Sequence, residues 1–74
     1  MTEHFVKAVV LDKEDAGEFD SRVFLYSQEL GKVVAKITSA RKITSKLAGH
    51  LEAGNIVDVR LVEKNSFQMA DALR

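Results

Sequence analysis

Residues 32–63 read KVVAKITSARKITSKLAGHLEAGNIVDVRLVE, and their apolar period changes twice. Over 32–38, Val33, Ala35 and Ile37 fall on one face and Val34, Lys36 and Thr38 on the other, the period of a strand. Ser45 then offers an N-cap, and Leu47 and Leu51 at i and i+4 form a short apolar stripe, so 45–53 is predicted as a short helix. Gly54 with Asn55 supplies a stop signal. From 55 to 63 the alternation returns, with Val57, Val59 and Leu61 predicted inward and Asp58 and Arg60 outward.

Working outward, FVKAVVL at 5–11 is rich in β-branched residues and runs into the polar cluster 12–18, which predicts a strand and then a loop. SRVFLYS at 21–27 puts Val23 and Leu25 on one face and Arg22, Phe24 and Tyr26 on the other. Residues 28–31 form a turn whose Gly31 can take the positive φ that closes a hairpin. After a second turn at 64–66, residues 67–72 make a last strand.

Three strands, one short helix and two strands is the order of an OB-fold: an all-β, five-stranded Greek-key barrel with the helix between strands three and four. Other small barrels lack a helix at that place. Closure also removes the exposed edges that so small a sheet would otherwise present. In OB-folds the second and third strands and the neighbouring loops bind nucleic acid.

The bulk composition fits one soluble domain over 1–74, near the lower size limit for a core without staples. There is no Cys, which excludes disulfides, thiolate metal sites and a Cys nucleophile. No apolar run is long enough to span a membrane, and MTEHF lacks the basic and apolar regions of a secretion signal; both point to the cytoplasm. No repeat, linker or low-complexity segment interrupts the chain.

Eleven basic and eleven acidic side chains balance, yet they are sorted along the chain. Residues 1–29 carry three basic and seven acidic groups, a net of −4; residues 30–51 carry five basic and no acidic groups, a net of +5; residues 52–74 are at −1. The cations of the middle segment, Lys32, Lys36, Arg41, Lys42 and Lys46, form a band suited to an anionic partner met locally. Phosphate contacts dominate affinity for nucleic acid and need such cations over an extended surface. The outer face of strands two and three adds Arg22, Phe24 and Tyr26, whose rings beside cations would be stacking platforms for unpaired bases. The competing expectations are an ordinary solvated band, and a barrel whose curvature buries one or both rings.

The acidic run Asp12, Glu14, Asp15, Glu18 and Asp20 invites a calcium reading, but Ala16 is no ligand and Val23 stands where an EF-hand needs a bidentate Glu. The run reads instead as a solvated loop, or as one that repels stray phosphates, orients DNA or docks a basic partner. His4 and His50 lack ligand spacing, no carboxylate–His–Ser constellation suggests nucleophilic catalysis, and no Gly-rich phosphate cradle is present. No metal, cofactor or enzyme activity is expected.

Motifs spread along the chain carry a resemblance. FVKAVVL at 5–11, GEFD at 17–20, VFLYS at 23–27, Gly31-Lys32, ITSAR at 37–41 and KITSKLAGHLE at 42–52 occur in one order, and 40–52 is the most specific part. In order and spacing they resemble the N-terminal OB domain of the RecO family of bacterial recombination mediators. That family pairs an EAIVL-type strand and a G-E-x-D segment with a Gly-Lys turn, an A-K-G-A-R-like strand end and a basic K-S-R-L-x-G-x-L-E helix. The departures are Thr38 and Ser39 where Lys-Gly is usual, Ala53 for Pro, and Lys64-Asn65-Ser66 for a Gly-Arg-Gly turn. The family continues into a helical domain where this chain stops at Arg74, so it reads as an excised domain or a short relative.

The resemblance implies binding to single-stranded DNA, and in a second form to duplex, in repair and recombination, with RecR and single-strand-binding protein as partners in a nucleoid-associated setting. The alternative is an OB-fold protein-interaction module that docks a repair or replication partner, with RNA binding third.

Overall fold

The computed structural model describes residues 1–17, 20–38 and 51–73. Five strands close into a barrel in the order β1-β2-β3-β5-β4: β1 (Thr2–Asp15), β2 (Ser21–Ser27), β3 (Gly31–Ile37), β4 (Ile56–Glu63) and β5 (Phe67–Leu73). All neighbours are antiparallel except β3 and β5, whose short parallel seam pairs Ala35 with Phe67 and Lys36 with Gln68. This is the OB-fold that the strand order predicts.

The predicted inward set is the core. Val23, Leu25, Val33, Ala35, Val57, Val59 and Leu61 are all buried, joined by Val6, Ala8, Val10, Ile37, Met69 and Ala72. Each Val or Leu removed from water stabilises the barrel by roughly 1.5–3 kcal/mol before entropy is counted. Leu51 is buried among them, so the chain between β3 and β4 returns an apolar side chain to the core. Of the predicted helix at 45–53, residues 45–50 lie outside the described residues; 51–54 are bend and turn.

β1 is longer than the expected 5–11 and absorbs most of the predicted acidic loop. Its first half pairs with β4, from Thr2↔Glu63 to Val9↔Ile56, and its second half pairs with β2 as far as Asp15↔Ser21. One strand serves two partners because a bulge between Val10 and Asp12 bends it and leaves Leu11 exposed. A bulge in β4–β5 pairing likewise lets Met69 and Ala72, three apart, both point inward.

Two turns are fixed by glycine. Gly31 (φ 69°) follows a turn in which the Leu30 amide donates to Ser27 Oγ at 2.9 Å, and this sets the β2–β3 register. Gly54 (φ 94°) leads into β4, and its amide donates to the Val10 carbonyl at 2.7 Å.

Candidate nucleic-acid interface

Antiparallel register stacks the outward residues of β1, β2 and β3 into three rows. Val9, Tyr26 and Lys32 form the first; Asp12, Phe24 and Val34 the second; Glu14, Arg22 and Lys36 the third. Tyr26 is 54% exposed, whereas Phe24 is half-buried, so curvature partly covers one ring and leaves the other available. The two rings lie two residues apart on β2, roughly 6.7 Å at about 3.3 Å per residue. That step suits successive bases of an extended single strand.

Cations stand at both ends of the aromatic row. Lys32, across from Tyr26, is exposed and makes no ion pair among the described residues. At the other end Arg22 Nε donates to Glu14 Oε1 at 2.9 Å, and Lys36 Nζ lies 3.7 Å from Asp20 Oδ2. Beside this row a cleft of about 650 Å³ is lined by Asp15, Ala16, Gly17, Arg22, Val34, Lys36, Ser66 and Phe67. The cleft joins the β2–β3 face to both flanking turns. Phe67 is steadied by the His4 ring, 5.7 Å between centroids, while His4 Nε2 meets Glu63 Oε1 at 3.0 Å.

Of the eight residues singled out from the sequence, five come together on this face: Arg22, Phe24, Tyr26, Lys32 and Lys36. Arg41, Lys42 and Lys46 lie outside the described residues. The sequence reading missed Leu11, exposed only because of the bulge, and Phe67, brought in by the parallel seam. It also missed that Glu14 and Asp20 pair with Arg22 and Lys36. Cross-strand register would have revealed Glu14, because it lies directly opposite Arg22. Among the described residues no cluster of His, Asp and Glu could hold a metal ion, and no helix is long and apolar enough to cross a membrane.

A closed β1-β2-β3-β5-β4 barrel with aromatic and cationic side chains on its β2–β3 face defines the OB class of small binding domains. Within it the chain belongs to the family described as Recombination protein O N terminal, whose model matches residues 1–72. Its relatives include the DNA repair protein RecO of Cutibacterium acnes, 39% identical over 57 residues that cover 77% of this chain and 23% of that protein. The DNA repair protein RecO of Dehalococcoides mccartyi is 44% identical over 46 residues, covering 62% of this chain and 18% of that protein. The matched stretch is about a fifth of each relative's length. No solved structure matches the chain significantly.

Proposed function

We propose that this chain is the DNA-binding OB domain of a RecO-like mediator of DNA repair and homologous recombination, and that it works by binding rather than by catalysis. The observation that carries the reading is the β2–β3 face, where Tyr26 and Phe24 lie in register with Lys32 and Val34, beside Arg22 and Lys36. Family membership and the relatives' names support the repair setting. Rings stack on unpaired bases, and cations track the phosphates; the band residues Arg41, Lys42 and Lys46 extend that track. Among the described residues no helix is arrayed for reading a groove, so in this reading the contacts are to backbone and base faces, and binding is nearly independent of base sequence. In this reading the domain acts in the cytoplasm at the nucleoid, with RecR and single-strand-binding protein as partners of the mediator and duplex DNA as a second ligand.

The test is the affinity of the 74-residue chain for single-stranded, duplex and RNA oligonucleotides at two salt concentrations. Single-stranded DNA binds best and weakens with salt. Absence of binding at low salt, or a roughly hundredfold preference for one oligonucleotide over its scrambled version, overturns the reading.

A protein-docking reading draws on a different observation. On the outer side of β1 and β4, Phe5 is 71% exposed, four residues along β1 from the row that holds Tyr26, while Ile56, opposite Val9, is 59% exposed and extends that row onto β4.

A further inference from the structure

The cations of the β2–β3 face are unequally available. Glu14 at the end of β1 lies opposite Arg22, Arg22 lies opposite Lys36 on β3, and Asp20 at the head of β2 reaches Lys36. The row therefore reads carboxylate, guanidinium, ammonium, carboxylate and sums to zero charge, although it holds two of the five described cations and rings. The row at the other end, Val9, Tyr26 and Lys32, holds a cation with no such cover among the described residues. The cleft of about 650 Å³ sits at the covered end, with Arg22 and Lys36 in its wall.

We propose that Glu14 and Asp20 are displaceable covers that occupy the phosphate positions on Arg22 and Lys36 and hold the cleft end of the face closed to nucleic acid. The proposal rests on the reading of this face as a nucleic-acid surface. A carboxylate and a phosphodiester offer the same charge and the same acceptor oxygens to a guanidinium or an ammonium, so they compete for one place. The covering side chains are accessible enough to swing away: Glu14 is 49% exposed and Asp20 31%. While they stay, an incoming phosphate meets a carboxylate beside each cation it seeks. Binding then starts at Lys32 and Tyr26, and extension along the strand into the cleft requires both carboxylates to leave. The device keeps the domain's grip weak and lets an event that draws off the covers, such as a basic partner segment engaging Glu14 and Asp20, tighten it.

The test compares the unaltered chain with Glu14→Gln, Asp20→Asn and the pair, using fluorescence anisotropy with a labelled oligo-dT strand across a salt series. The amides keep the shape and remove the charge. The pair is expected to bind roughly tenfold tighter or more at about 0.1 M salt, and its log-affinity against log-salt slope to steepen by about 1.4, the value for two further single-strand phosphate contacts. The control is Glu3→Gln with Asp58→Asn, which removes two charges from ion pairs with Arg60 and Lys7 on the β1–β4 side. It is expected to leave affinity unchanged, because charges beyond about 10 Å are screened at that salt. A pair variant that binds no tighter, or an equal rise in the control, overturns the covers while the DNA-binding reading stands. If neither the unaltered chain nor the pair variant binds at low salt, both readings fall.

Discussion

Tyr26 and Phe24 are neighbours on one strand face, but their surroundings give them different work. Tyr26 is 54% exposed, so in the DNA-binding reading its contribution is to the ligand more than to the core. Tyr26→Ala is expected to weaken single-stranded DNA binding by about 1–3 kcal/mol, the range for one base–aromatic stack, which is roughly 5- to 150-fold. Its effect on the melting temperature is expected to be small, because exposed positions change stability by about 0.5 kcal/mol or less. Tyr26→Phe keeps the affinity. Phe24 is half-buried and lies across from Val34, so Phe24→Ala is expected to lower both affinity and melting temperature. Anisotropy titration and a thermal melt on each variant separate the two roles. Wild-type affinity in Tyr26→Ala would remove the ring from the binding surface.

Among the elements, β2, β3 and β4 were legible because their alternation is clean: a slip of one residue would turn Val57, Val59 and Leu61 outward together. β1 was legible only in its middle. Its acidic end reads as a loop by composition, but Asp12–Asp15 is held in the ladder by β2, and Glu14 gains Arg22 across the strands. Composition reports local preference, and here a tertiary partner outweighs it. The exposure of Leu11 was not legible at all, since a bulge depends on the two partners that β1 must serve rather than on its own residues. The site followed the same division. Outward residues on β2 and β3 came from period alone, whereas the covers and Phe67 needed the register and the closing seam.

The β2–β3 hairpin offers a sharp test of what sets that register. Gly31 holds φ 69° with open space around the place a Cβ would take, so any cost of a side chain there is in the backbone. Gly31→Ala is expected to cost about 1–2 kcal/mol for the left-handed conformation. For a domain of this size that lowers the melting temperature by roughly 5–15 °C. Gly31→Asn should cost clearly less, because Asn tolerates that region. Equal melting for Ala and Gly would mean that the turn relaxes to another conformation.

For the whole molecule, a formal net charge of zero conceals how the charges are used. The acidic excess of residues 1–29 is partly consumed in ion pairs with later segments, Glu3 with Arg60 and Asp20 with Lys36, while Glu14 pairs with Arg22 inside the segment. The barrel measures 30 × 27 × 16 Å and the screening length is about 8 Å at physiological salt, so each face is felt by a ligand nearly on its own. In the DNA-binding reading, affinity is therefore expected to follow the local band rather than the net charge. Four phosphate contacts from the band should give a log-affinity against log-salt slope of about −3 on single strands, at about −0.7 each. So few contacts imply weak binding by the chain alone, micromolar or weaker at physiological salt. Changing Arg41 and Lys42 together to Ala is expected to flatten the slope by roughly 1.4 units. The melting temperature should stay nearly constant if, as the sequence pattern predicts, both are surface charges. The salt series and the melt read out independently. A slope unaltered in that variant would mean that the band does not meet phosphate, and the exposed Phe5 on the β1–β4 side would become the surface to pursue.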